Sequence, residues 1–243
     1  MRLFGLIGYP LSHSFSQKYF TEKFETERIA DCKYSNFPIS SINDFDSILS
    51  QNPGLEGLNI TIPYKEKVIS YLHEMSDVVK TIRACNCIKI RNGKLSGYNT
   101  DVTGFERSFV QNLKPWHKQA LVLGTGGSSK AVQYVLSKLV IPFQVVSRTP
   151  TSKEISYTDI NKSTIDQYKV IINTTPLGMQ PNVELYPSLP YDSLTKEHYL
   201  YDLIYNPSRT AFLQLGEQRG ATIQNGYDML IYQAEESWQI WNS

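Results

Sequence analysis

Cysteine is scarce in this 243-residue chain: Cys32, Cys85 and Cys87 are the whole complement. An odd count with one Cys-x-Cys pair fits neither a disulfide framework nor zinc-site spacing. Reduced thiols in a cytoplasmic protein are therefore expected, with no metal site. No apolar run approaches the roughly 20 residues of a membrane span. The apolar start, Leu3 to Gly8, is cut by Pro10; it is too short for a secretory core and reads as a buried first strand. An excess of one charge is missing too, since 24 basic residues face 23 acidic ones. Nucleic acid and membrane are thus not expected as partners, and any anionic ligand must be recognised locally. There is no internal repeat and no low-complexity tract.

What the sequence does hold is an alternation of strand-like and helix-like segments. Leu3–Ile7, Lys33–Phe37 and Leu55–Ile62 read as strands. Ser16–Phe24, Ser41–Ser50 and Lys65–His73 read as helices by the spacing of their apolar residues. Cys87–Arg91 and Lys94–Tyr98 flank Asn92-Gly93, a strong signal for a two-residue hairpin. After Lys114-Pro115 the alternation restarts with Ala120–Leu123, Phe143–Ser147, Val170–Asn173 and Tyr201–Ile204 as strands. Residues 178–190 read as a surface loop, and the last helix is expected over Tyr227–Trp241. Repeated strand–helix units imply an α/β architecture with mostly parallel sheets.

Two segments carry proton chemistry. Gly57 to Lys65 alternates like a strand end, breaks at Pro63 and delivers Lys65 into an expected first helical turn, where negative side chains are favoured. Asn99-Thr100-Asp101 places a carboxylate at an expected N-cap before Val102–Leu113. Brought together, Lys65 and Asp101 would form a proton-transfer pair among amide and hydroxyl groups, suited to a polyhydroxylated small molecule.

A second group of segments points to a nucleotide. Strand Leu121–Leu123 runs into Gly124, Thr125, Gly126, Gly127, Ser128 and Ser129 and then a helix, the context of a dinucleotide fingerprint whose third glycine is Ser129 or is displaced, with a purely structural turn as the alternative. The next strand ends in Ser147, Arg148 and Thr149, with Lys153 nearby and no acid before Glu154. Arginine there accommodates a 2′-phosphate, which favours NADP over NAD; a solvated arginine is the alternative. Asn173 and Thr174, after another strand, either face the cofactor or form a polar turn. Ser14 and Ser16 either bind an anion at a helix start or cap that helix, and His13 is read as a packing histidine.

Taken in order, these segments resemble the shikimate dehydrogenase family over nearly the whole chain. Its Ser-x-Ser motif is Ser14-Phe15-Ser16, its Asn-Val-Thr-x-Pro-x-Lys motif spans Asn59 to Lys65, and its Asn-Thr-Asp motif spans Asn99 to Asp101. Its Gly-x-Gly-Gly turn spans Gly124 to Gly127, its Asn-Arg-Thr clasp is Ser147-Arg148-Thr149, and Tyr205-Asn206-Pro207 and the segment from Asn225 to Gln233 complete the set. The resemblance implies an N-terminal α/β substrate domain over 1–101, completed by a C-terminal helix in 226–243, and a Rossmann-like NADP-binding domain over 102–225. It implies NADPH-dependent, reversible reduction of 3-dehydroshikimate to shikimate, by a monomer or homodimer. Ser14, Ser16 and Tyr205 would hold the substrate carboxylate. Thr61, Asn86, Asp101 and Gln233 would bind ring hydroxyls, with Lys65 and Asp101 catalytic, and Met179 and Gly226 would lie by the nicotinamide. Quinate/shikimate dehydrogenase with broader cofactor use and a non-catalytic NADP-binding sensor are the rival readings. The chain departs from the family pattern at Gln17, at Ser147 and most of all over Arg83 to Cys87, where a glycine and a threonine are replaced.

Overall fold

The computed structural model describes residues 1–11 and 15–243, which divide into two compact units. One comprises Met1–Thr100 together with Ala234–Ser243, the other Asp101–Gln233.

The first unit is built on a six-stranded mixed sheet. Strands β1 (Arg2–Gly8), β2 (Cys32–Pro38) and β3 (Leu55–Ile60) run parallel, with β1 central. Next to β3 lies β5 (Cys87–Arg91), antiparallel, followed by β6 (Lys94–Tyr98) and the two-residue β4 (Glu74–Met75), in the order β2-β1-β3-β5-β6-β4. The hairpin between β5 and β6 turns on Asn92 and Gly93, both at positive φ (51° and 74°), as a type I′ turn requires. Helices α1 (Phe15–Thr26), α2 (Phe45–Gln51) and α3 (Asp77–Ile82) connect the strands. A fully buried aromatic set of Phe4 and Phe20 packs with Tyr34 and Trp241, the last supplied by the end of helix α8 (Tyr227–Asn242). Trp241 stacks on Phe4 at 4.9 Å between centroids and donates its indole N–H to the Ile88 carbonyl at 3.0 Å. A Cβ on Gly57 would sit 2.4 Å from that indole, so the strand there has no room for a side chain.

The second unit carries six strands, all parallel: β7 (Ala120–Leu123), β8 (Phe143–Ser147), β9 (Glu154–Ser156), β10 (Val170–Asn173), β11 (Tyr199–Asp202) and β12 (Thr222–Gln224). Their order β12-β11-β10-β7-β8-β9 is the doubly wound dinucleotide-binding order, and its direction reverses between β7 and β10. β7, β10 and β11 are buried along their full length, which explains their unbroken apolar runs. Helices α4 (Thr100–Phe109), α5 (Gly127–Lys138), α6 (Lys162–Gln167) and α7 (Ala211–Glu217) complete the unit with the first part of α8.

Several boundaries differ from expectation. Lys65–His73 is not an α-helix: Lys65 and Glu66 form a turn, and a 3-10 helix follows over Lys67–Tyr71. Tyr64 decides this, because its buried ring anchors the turn, with its hydroxyl on the Ile39 carbonyl at 2.6 Å. β3 stops at Ile60 rather than Ile62, and β11 covers Tyr199–Asp202 rather than Tyr201–Ile204. Helix α4 starts at Thr100, so Asp101 lies inside its first turn and is not the N-cap. Residues 178–190 are irregular, and most of them are exposed.

Candidate functional site

In the first unit Thr61, Lys65 and Asn86 gather where β3 leaves the sheet. Thr61 continues the ladder by donating its N–H to the Ile7 carbonyl at 2.9 Å, and Tyr64 closes the turn onto the Thr61 carbonyl at 2.9 Å. The carbonyl of Lys65 then accepts the Cys85 N–H at 2.8 Å. Lys65 is half-buried, so its unusual placement is a tight turn braced against the Arg83 to Cys87 segment.

That segment departs from the family pattern, yet its backbone is seated on three sides. Besides the Cys85 bond, Asn86 donates its N–H to the Tyr98 carbonyl (3.1 Å) and accepts from the Ile60 N–H (2.8 Å). Asn99 adds a side-chain bond to the Ala84 carbonyl at 2.9 Å. The lost glycine corresponds to Arg83, which adopts the left-handed conformation itself (φ 54°) as the C-cap of α3. The lost threonine corresponds to Cys87, wholly buried, whose thiol is pushed up by burial. Asn86 is held as well: its Oδ1 accepts the Thr100 N–H at 2.6 Å, and its Nδ2 donates to the Thr100 hydroxyl at 3.0 Å. Ser16 sits in the first turn of α1 and hydrogen-bonds the buried Tyr34 hydroxyl. Ser14 and His13 lie outside the described residues.

In the second unit, Asp101 is buried in the first turn of α4, and Gln233 is buried on α8. The two helices cross at Gly104, where a Cβ would meet the Met229 carbonyl at 2.5 Å and the Gln233 Cβ at 3.0 Å. Since residue 104 follows residue 101 by one turn, the crossing brings Asp101 and Gln233 to one region of the unit.

The glycine turn stands at the point where the strand order reverses. Gly124, at φ 108°, ends β7 against β10: a Cβ there would lie 2.8 Å from the Thr174 hydroxyl. Thr174 in turn donates both N–H and hydroxyl to the Leu123 carbonyl, at 3.0 and 2.6 Å. Ser129, in place of the third glycine, is fully buried and returns its hydroxyl to the Gly124 carbonyl at 2.7 Å. A Cβ on Gly126 would meet nothing within 4 Å, so the start of α5 opens onto free space. Thr125 and Ser128 flank this opening. A pyrophosphate suits it, because backbone N–H groups at a helix start bind phosphate oxygens.

At the end of β8, Ser147 accepts the Thr149 N–H at 3.2 Å, which shapes the turn and leaves Arg148 exposed beside it. Lys153 is exposed as well. The Glu154 carboxylate accepts the Thr151 N–H at 2.9 Å and so serves its own turn, as an acid reserved for a ribose would not. These residues fit an NADP adenosine end bearing a 2′-phosphate. Met179 is exposed on the irregular loop, and Tyr205 is half-buried beyond β11. Gly226 is buried against the Leu203 carbonyl, where a Cβ would overlap at 2.1 Å.

Asp202, at the end of β11, went unnoticed in the sequence. It is fully buried, and its carboxylate accepts from Asn173 Nδ2 (3.1 Å), the Ile204 N–H (3.0 Å) and the Thr210 hydroxyl (2.6 Å). Burial raises its pKa to about 7, against the opposing pull of those donors. The signal was present: an aspartate closing an all-apolar strand must find partners. Asn59, Thr100 and Ser237, all buried, were also unassigned. Among the described residues no group of three or more His, Cys, Asp or Glu side chains is placed to hold a metal ion. Among them, too, no helix is long and apolar enough to cross a membrane.

Comparison with known proteins finds relatives over nearly the whole chain. Residues 6–88 match the family model described as shikimate dehydrogenase substrate binding domain. The chain is 35% identical to the shikimate dehydrogenase (NADP(+)) of Staphylococcus epidermidis, over 99% of this chain and 92% of that protein. Among solved structures, it superposes on the Thermus thermophilus shikimate 5-dehydrogenase in complex with NADP(H) and shikimate, with a TM-score of 0.88 and 26% identity, covering 99% of this chain and 93% of the other. The quinate dehydrogenase of Corynebacterium glutamicum in complex with NAD gives a TM-score of 0.87 at 26% identity, with coverage of 99% and 93%.

Proposed function

Since the chain belongs to the shikimate dehydrogenase family, we propose that it catalyses the NADPH-dependent, reversible reduction of 3-dehydroshikimate to shikimate, a step of aromatic amino-acid (chorismate) biosynthesis. The observation that carries the reading is the parallel sheet of the second unit, with its glycine turn at the strand reversal and Arg148 at the next strand end. In this reading, residues 1–101 with 226–243 bind substrate and 102–225 bind the cofactor. The enzyme works in the cytoplasm, as a monomer or homodimer.

NADP(H), when bound, supplies the hydride. Gly124, Thr125, Gly126, Gly127 and Ser128 would hold its pyrophosphate, and Ser147, Arg148, Thr149 and Lys153 its 2′-phosphate. Asn173, Thr174, Met179 and Gly226 would line the nicotinamide end. The remaining task is one proton and the negative charge that develops on the 3-keto oxygen. The Lys65 ammonium answers both needs, because it can donate a proton to that oxygen and stabilise its charge. Asp101 would orient the ammonium and share in the proton relay. Ser14, Ser16 and Tyr205 would fix the substrate carboxylate, and Thr61, Asn86 and Gln233 its hydroxyls. General acid catalysis of this kind contributes roughly 10²- to 10⁴-fold.

The test is NADPH oxidation followed by absorbance with 3-dehydroshikimate, repeated with NADH and, in reverse, with quinate. Turnover with NADPH well above that with NADH is expected. Comparable rates with NADH or quinate would favour the quinate dehydrogenase reading raised by the second structural relative. Absence of turnover would leave an NADP-binding sensor. Lys65→Ala is expected to lower kcat by roughly 10²-fold or more while NADPH affinity holds; undiminished kcat would remove Lys65 from the proton's path.

A further inference from the structure

Six polar side chains of the first unit, five of them buried, form one hydrogen-bonded chain, and four of its members, Tyr34, Asn59, Thr100 and Ser237, have no place in the catalytic scheme. The Ser16 hydroxyl bonds to the hydroxyl of Tyr34, on β2. Tyr34 donates to Asn59 Oδ1 at 2.9 Å, and Asn59 Nδ2 donates to the Ser237 hydroxyl at 2.9 Å. Ser237 meets the Thr100 hydroxyl at 3.2 Å, and Thr100 bonds Asn86 through its own N–H (2.6 Å) and hydroxyl (3.0 Å). Tyr34, Asn59, Ser237, Thr100 and Asn86 are each 4% exposed or less.

A single line of bonds thus runs from Ser16 to Asn86, and in such a buried line neighbouring bonds polarise one another. Its ends are two proposed substrate contacts, Ser16 for the carboxylate and Asn86 for a ring hydroxyl. Thr100 also precedes Asp101 directly. Ser237 is the junction, where helix α8 touches Asn59 and Thr100 at once and its hydroxyl also reaches the Cys87 thiol. Its position is telling: a serine on a helical stripe otherwise made of Ala234, Trp238 and Trp241 adds little apolar contact.

We propose that Tyr34 and Ser237 are positioning residues for the substrate: they set the rotamers of Asn59, Asn86 and Thr100 and thereby fix the carboxylate-binding and hydroxyl-binding ends of the site relative to one another. The proposal rests on the functional reading above, since it needs Ser16 and Asn86 to touch one ligand. Neither positioning residue touches the reacting atoms. Losing the Tyr34 hydroxyl breaks the chain at Ser16 and at Asn59 Oδ1, and losing the Ser237 hydroxyl breaks it at Asn59 Nδ2 and at Thr100, so each leaves the buried Asn59 amide short of one hydrogen bond.

The experiment compares Tyr34→Phe, Ser237→Ala and their double variant with the wild type in steady-state assays. Ser108→Ala serves as the control, because Ser108 is a fully buried serine of the second unit bonded to Tyr201. KM for 3-dehydroshikimate is expected to rise about tenfold in each single variant, with KM for NADPH unchanged. The double variant should cost well under the product of the two, because both act on one chain. Ser237→Cys, which keeps a weak donor, should recover part of the loss and stands in should Ser237→Ala not fold. Folded variants with wild-type substrate KM, or with the same response as Ser108→Ala, would overturn the proposal. So would strictly multiplicative effects. A wild type without turnover on 3-dehydroshikimate would instead fell the functional reading, and the proposal with it, before any variant is compared.

Discussion

Arg83 shows how one residue can absorb a change of sequence without moving a site. It occupies a left-handed position that glycine takes at little cost, whereas an L side chain there costs about 1–2 kcal/mol. Arg83→Gly should therefore stabilise the chain. The gain, about 0.5–1 kcal/mol after the extra backbone freedom of glycine in the unfolded state, would show as a raised urea midpoint. Substrate KM should not change, because Asn86 is fixed by its bonds to Tyr98, Ile60 and Thr100 and not by residue 83. An unchanged or lowered midpoint would mean that the arginine side chain contributes what its backbone loses. Lys65 and Asp101 were legible at this scale as an out-of-place cation and a carboxylate after Asn-Thr. Their surroundings were not, because a turn braced by a buried tyrosine and a helix that begins two residues early are decided by contacts distant in sequence.

At the scale of elements, Asp202 ties together three connections: the turn after β10 through Asn173, the segment after β11 through the Ile204 amide, and the first turn of α7 through Thr210, whose hydroxyl also caps Leu213. Its carboxyl group has a folded pKa of about 7 against an ordinary 3.8. Between about pH 4 and pH 7 the unfolded chain has already lost this proton while the folded chain keeps it, so the contribution of Asp202 to stability falls as pH rises and levels off above about 7. Asp202→Asn removes that slope. Relative to the wild type, the variant should thus gain ground from pH 5 to pH 7.5 in paired urea titrations; a constant difference would show that Asp202 is ionised throughout. Strands β7, β8 and β10 were readable end to end: full burial writes an apolar run into β7 and β10, and β8, half-buried at Phe143 and Gln144, still carries the buried pair Val145 and Val146. The short edge strands β9 and β12 and the helices α6 and α7 were not. Each has seven residues or fewer, and half-buried edges carry no clear periodicity.

The whole molecule was largely legible in outline: the restart after Pro115, the hairpin at Asn92-Gly93 and the collinear motifs pointed to an α/β chain of two parts. The hidden part was how the last ten residues serve the first unit, which depends on Trp241 filling the space above Gly57. Trp241→Ala should cost about 3–5 kcal/mol and lower the thermal midpoint by roughly 10 °C. NADPH binding, measured by fluorescence below the melt, should survive it, because the glycine turn lies in the other unit; loss of that binding in folded protein would refute the assignment. The same interruption has a consequence during synthesis. Residues 234–243 leave the ribosome only after all of 101–233, a delay on the order of 10 s. For that interval the nascent first unit lacks Trp241, the ring that packs on Phe4, Phe20 and Tyr34. The unit that is begun first is thus the one completed last.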